Sequence, residues 1–222
     1  MVRRLLACAL FLSVQFVIAS TPVQADSGQG AVEYSVYLPL LTREATAAMA
    51  LPAEPGFPSL LDFTATVAGG PADTVTGVYV SEVLALPVIQ QPADNYGYVS
   101  EQVGVVTQFR LAASYGVTGL LAHNFASGAL FFELAPGQRV HVILGDGSAK
   151  EYQVSEILRY QALQPFSTAS DFVDLATGEQ LTAGQVFARA YMGGDQVTFQ
   201  TCIASGGIGS WGRLFVIATP VE

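Results

Sequence analysis

Cysteine is scarce in this chain, with two among 222 residues, at positions 8 and 202. Histidine is equally scarce, and basic side chains number nine against 18 acids. Each shortage excludes something. His123, His141 and Cys202 stand 18 and 61 residues apart, which matches no zinc-binding spacing. A formal net charge of −9 makes nucleic acid a poor partner. No apolar run reaches the roughly 20 residues that span a bilayer comfortably.

The longest such run, "LLACALFLSVQFVIA", follows Arg3 and Arg4 and precedes "PVQA", with small residues at Val23 and Ala25. That is the layout of a secretory signal peptide, and it predicts cleavage after Ala25, with an uncleaved anchor as the alternative. Removing residues 1–25 removes Cys8, Arg3 and Arg4 but no acid. Cys202 is then the single cysteine of an exported protein. In an oxidising compartment a lone thiol points to intermolecular pairing or a working thiol, and otherwise to a small buried hydrophobe.

Residues 26–60 are dominated by Ala, Pro, Gly and Ser, and predict a linker that contains a short apolar patch, "YSVYLPLL". From residue 61 to 222 the texture is that of one β-rich domain. "LDFTATVAG", "TGVYVSEVLAL", "VGVVTQFRLA", "VTGLLAH" and "ALFFEL" are expected strands, separated by Gly, Pro, Asn and Asp. "QRVHVILGDGSAKEYQVSEIL" predicts a hairpin turning at "GDGS". Over 161–192, "STASDFVDL" suggests a short capped helix, and "LTAGQVFARAYM" places Leu181, Val186, Phe187 and Ala190 near helical spacing. "QVTFQTC" and "RLFVIATP" close the chain as two strands around the expected loop "IASGGIGSWG". The whole reads as an all-β, closed or nearly closed barrel with a short helical insertion before the last hairpin.

If those last strands are antiparallel neighbours, Cys202 and Arg213 face each other. Alternation puts Cys202 with Thr198 and Gln200, away from Val197 and Phe199. A thiol of ordinary pKa needs a nearby imidazole or guanidinium to react at neutral pH. His141 alternates with Val140 and Val142 inside a strand and reads as structural. His123 ends "TGLLAH" just before a loop, where a scaffold presents functional side chains. "SGGIGSWG" lacks the Lys-Ser/Thr of a phosphate loop. Papain-like peptidases place cysteine before histidine, whereas Cys202 follows His123 by 79 residues. Cysteine L,D-transpeptidases carry Ser-x-Gly-Cys, where this chain has Phe-Gln-Thr-Cys.

Taken in order, "LLAHN", "TFQTC" and "SWGR" resemble the signature of the sortases: a strand-end His, a T-x-T-C-like strand and an Arg on the next strand. The likeness covers roughly residues 70–222 and includes "FFELAPGQRVHVILGDGSAKEYQV". It implies a closed eight-stranded β-barrel and no cofactor, and the His and Cys spacing gives no metal site. The implied chemistry is cysteine transpeptidation at an LPxTG-like sorting signal, with an amine acceptor or water resolving the thioester. Carried over by position, Cys202 would be the nucleophile, His123 the acid/base and Arg213 the group that steadies the substrate carbonyl or oxyanion. The implied partner is a peptide or protein with a sorting-like motif, and the implied location is secreted or cell-surface. A sortase-fold extracellular binding module without turnover is the alternative. The segment 161–194 is longer than its sortase counterpart, so the substrate does not carry over directly. Asp171, Asp174 and Glu179 within it read as a solvated acidic loop, with calcium binding as the competing reading. "LPAEPG" at 51–56 echoes a sorting motif but lacks Thr-Gly.

Overall fold

The computed structural model describes residues 56–221. The signal segment, most of the expected linker and "YSVYLPLL" lie outside the described residues. Ten strands alternate with few helices. In chain order, β1 (Val75–Val80), β2 (Leu84–Gln90), β3 (Val106–Phe109) and β4 (Val117–Leu121) are followed by β5 (Arg139–Leu144) and β6 (Ala149–Ala162). Then come β7 (Phe172–Asp174), β8 (Gln180–Leu181), β9 (Gln196–Ser205) and β10 (Ile208–Pro220). The sheet runs β10-β9-β4-β3-β2-β1-β5-β6, and β6 pairs back to β10, which closes an eight-stranded barrel. Closure leaves those eight strands without an unpaired edge. β7 and β8 continue outward from the far end of β6 as a small hairpin. Two pairings, β2 with β3 and β4 with β9, are parallel, so the barrel is mixed.

Alternation explains the core. Val78, Val80, Leu84, Leu86, Leu120, Val140, Val142, Val197, Phe199, Leu214 and Val216 point inward and pack as one cluster. Phe131 seals it, edge-on to Phe199 with ring centroids 5.1 Å apart. Truncating such a buried ring to alanine costs about 3–5 kcal/mol. A second apolar layer lies outside the barrel, where Tyr160, Phe172, Tyr191 and Phe215 pack beneath a helix of the 161–192 segment.

Several expected elements take another form. "LDFTATVAG" is not a strand but the helix α1 (Leu60–Val67). Ser59 caps it by accepting the Asp62 N–H, and Leu60, Phe63 and Val67 pack toward Tyr79 and Ile143. Gly77 beneath makes that seat possible, since a Cβ there would press 3.1 Å from the Phe63 ring. Phe57 packs against Tyr79 with ring centroids 5.7 Å apart and planes tilted by 54°, and the Tyr79 hydroxyl donates to the Pro58 carbonyl. "VGVVTQFRLA" splits into β3 and a one-turn helix, α2 (Arg110–Ala113). "ALFFEL" is a 3-10 helix over Ser127–Glu133, because Phe131 and Leu134 share one buried side at a spacing of three rather than two.

"STASDFVDL" gives strand β7 instead of a capped helix. Its Ser170 hydroxyl accepts the Gln164 N–H and donates to the Asp171 carbonyl, so it shapes a loop. The expected ten-residue loop between the last strands is a tight turn. Gly206 and Gly207, at φ 56° and 80°, supply the two positive angles that a two-residue hairpin with the sheet's twist requires. The hairpin at "GDGS" joins β5 to β6 as expected, with Ser148 donating to the Asp146 carboxylate. The helix expected in "LTAGQVFARAYM" is α3 (Ala183–Tyr191), opened by a capping box between Thr182 and Gln185. Among the described residues, no helix is long and apolar enough to cross a membrane.

Candidate active site

Of the three residues singled out by sequence, Cys202 lies on β9 and Arg213 on β10, and His123 follows the end of the adjacent strand β4. On β9, Val197 and Phe199 face inward, so Thr198, Gln200 and Cys202 face outward toward the second layer. Thr198 confirms the direction, since its hydroxyl donates to the Ala190 carbonyl of α3. On β10, Leu214 and Val216 are interior, which puts Arg213 and Phe215 on the outer face. The antiparallel register pairs Arg213 directly with Cys202, and Phe215 with Gln200. On β4, Leu120 faces in and Leu121 out, and Leu121 pairs in parallel with Gln200. The Ala122 N–H extends that ladder to the Gln200 carbonyl at 3.2 Å. Two residues beyond Leu121 is His123, and two beyond Gln200 is Cys202. The register therefore pairs Cys202 with Arg213, and the chain leaving the end of β4 carries His123 toward the same end of the barrel.

The loop after β4 is fixed from several sides. The His123 carbonyl accepts N–H donors from Ala126 and Gly128, at 2.9 and 3.0 Å. The next side chain, Asn124, donates its amide to the Gly209 carbonyl at 2.9 Å and so ties this loop to the β9–β10 hairpin. The His123 ring stacks on Phe125 with centroids 4.9 Å apart and planes 11° from parallel. Phe125 is itself exposed. Gly128 packs where side chains cannot fit: a Cβ there would lie 2.7 Å from the carbonyl oxygens of both Ala122 and His123, and closer still to the Thr201 hydroxyl.

Cys202 is a free thiol of intermediate exposure, reachable from solvent yet set on a rigid strand. Arg213 forms no ion pair among the described residues. Its guanidinium instead donates to the carbonyls of Ser210 and Gly212, each at 2.9 Å. Two donations to neutral carbonyls leave further N–H groups of the fork for an incoming acceptor.

A groove of about 380 Å³ runs over the outer face beside this point. Leu121, Gln200, Arg213 and Phe215 form part of its floor, and Val186 and Phe187 of α3 part of its wall. The floor is apolar except for Gln200 and Arg213. Tyr191, on the last turn of α3, is fully buried, and burial pushes its phenol well above the ordinary range, so it remains a donor. Its hydroxyl donates to Gln200 Oε1.

His141 lies elsewhere, on β5 opposite Tyr79 and Glu151. Two of the three acids of the 161–192 segment, Asp174 and Glu179, are engaged by a cation. Arg189 reaches Asp174 at 3.5 Å and Glu179 at 2.8 Å, and Asp174 also accepts the N–H groups of Ala176 and Thr177. Gln200, Tyr191, Asn124 and Gly128 were not among the residues singled out by sequence. The position of Gln200, two before Cys202 on the same strand face, was the available signal for it. The contacts of Asn124 and Gly128 span distances in sequence that no local pattern encodes.

No family model matches the chain, and no curated protein matches it. Solved structures similar to it are sortases of several classes. Sortase E1 from Streptomyces coelicolor, solved with a tripeptide in its active site, is 20% identical, with a TM-score of 0.42 over 70% of this chain and 92% of that one. Sortase A from Listeria monocytogenes is 14% identical, with a TM-score of 0.41 over 68% and 89%. Sortase C-1 from Actinomyces oris is 16% identical, with a TM-score of 0.43 over 77% and 84%.

Proposed function

We propose that the protein is an exported, sortase-like cysteine transpeptidase or peptidase that acts on a sorting-signal-like peptide. The observation that supports this most is the register: a free thiol is paired with a guanidinium that has no carboxylate partner among the described residues, with an imidazole two residues beyond the end of the next strand and a groove of about 380 Å³ beside them.

The roles follow from chemistry. The Cys202 thiolate attacks the substrate carbonyl, and the C–N bond breaks to leave a thioester. His123, as imidazolium, gives its proton to the departing amine, and as imidazole it takes one from the amine or water that resolves the thioester. Arg213 cannot act as a base at accessible pH, so its N–H groups serve the developing oxyanion. Resolution by an amine gives a new amide bond, and resolution by water gives hydrolysis. The signal-like segment at 1–25 supports export to the cell surface or beyond.

Trapping the acyl-enzyme tests this reading. The protein is incubated with a Leu-Pro-Ala-Thr-Gly peptide or its thiol-reactive analogue, and intact mass is followed by peptide mapping. Acylation confined to Cys202, lost in Cys202→Ala and reduced at least 100-fold in rate in His123→Ala, is expected. A thiol that stays unmodified while the peptide still binds supports the alternative, an extracellular binding module without turnover.

A further inference from the structure

Gln200 is the one polar side chain besides Arg213 on the groove floor formed by β4, β9 and β10. It sits on the same face as Cys202, two residues away, or roughly 7 Å along the strand. Its orientation is set from α3. The buried Tyr191 hydroxyl has a single proton to donate, and a buried donor requires an acceptor, which here is Gln200 Oε1. The amide is therefore locked with its carbonyl toward Tyr191, and its Nε2 has no protein partner among the described residues. A half-buried NH2 group on an apolar floor calls for an acceptor from whatever fills the groove.

An extended peptide advances at the same rise as the strand below it. With its attacked carbonyl over Cys202, the substrate residue above Gln200 is two removed from the cleaved bond. The acyl half stays attached through the thioester and so needs the groove; the leaving half does not. We propose that Gln200, aimed by Tyr191, donates Nε2–H to the main-chain carbonyl of the substrate residue two positions before the one that is attacked. This assignment rests on the enzymatic reading above and adds a specific substrate contact to it.

The test separates a donor role from a structural one by binding of acetyl-Leu-Pro-Ala-Thr-Gly-amide to Cys202→Ala protein, measured by calorimetry. Gln200→Glu keeps an acceptor for Tyr191 but removes the donor. The pair Gln200→Leu with Tyr191→Phe removes both partners without stranding either. Both are expected to weaken binding about three- to tenfold, the worth of one net hydrogen bond, with Tyr191→Phe alone causing a smaller loss. In Cys202-containing protein the same variants should raise KM more than they lower kcat, and the uncharged pair should leave alkylation of Cys202 by iodoacetamide unchanged.

Binding by Gln200→Glu equal to the parent, with Tyr191→Phe carrying the full loss, would overturn the assignment in favour of packing. Failure of the parent to bind the peptide would overturn it as well. Acylation of Cys202 that is indifferent to Gln200 would remove this contact and leave the enzyme reading intact. Gln200-dependent binding without acylation would do the reverse.

Discussion

At the residue scale, the geometry around His123 depends on what Gly128 lacks. Its φ is ordinary, so the constraint is space: a methyl group at that position meets the two carbonyls that end β4 and the hydroxyl beside Cys202. Overpacking of this kind costs typically 1–3 kcal/mol. Gly128→Ala is expected to lower the thermal midpoint by several degrees and to reduce peptide turnover at least tenfold, because the displaced atoms carry His123 and Cys202. Turnover at the parental level, with the same loss of stability, would show that the loop holds the site less tightly than its hydrogen bonds imply. The positions of the candidate residues in the fold were legible from sequence because strand alternation and chain order are local facts: Cys202 on the outward face, His123 just past a strand end, Arg213 on the next strand. The supports were not. Asn124 reaches Gly209 across 85 positions, and Gly128 meets Thr201, distances at which spacing carries no signal.

At the scale of elements, α3 is the part of the 161–192 segment that was readable, because a capping box and a helical stripe are written within a dozen residues. Thr182 accepts the Gln185 N–H at 3.3 Å while Gln185 Oε1 accepts the Thr182 N–H at 2.8 Å. Thr182→Ala should cost about 1 kcal/mol, or about 2–4 °C in the midpoint for a domain of this size. Since α3 holds Tyr191 and Phe187 against the groove, the same variant is expected to raise KM for the peptide with little change in kcat; an unchanged KM would detach α3 from substrate binding.

The elements that sequence misassigned share a cause. α1, the 3-10 helix before β5 and strand β7 are each short, three to eight residues, and their apolar residues fit more than one period. Tertiary partners decide among the periods: Tyr79 for α1, Phe199 for the 3-10 helix, and β6 for β7. The β9–β10 turn shows the opposite limit, a pair of glycines that encoded a tight hairpin inside a stretch whose other residues resembled a loop.

At the scale of the whole molecule, closure of the barrel turns residues far apart in sequence into one site. β4 and β9 lie parallel, and β4 ends at Leu121 opposite Gln200; β10 returns antiparallel along β9, so Arg213 pairs with Cys202 just past that point. Under the proposed function these three residues act together on a peptide and are more than neighbours on a barrel end. Peptide turnover and iodoacetamide alkylation, measured side by side on the parent and on Arg213→Lys, test it most directly. Lysine retains the charge but loses the guanidinium fork. A loss of turnover of about 100-fold or more is expected, the scale of removing one oxyanion donor, with alkylation of Cys202 within about twofold of the parent. Equal turnover in Arg213→Lys and the parent would contradict it and remove Arg213 from the site.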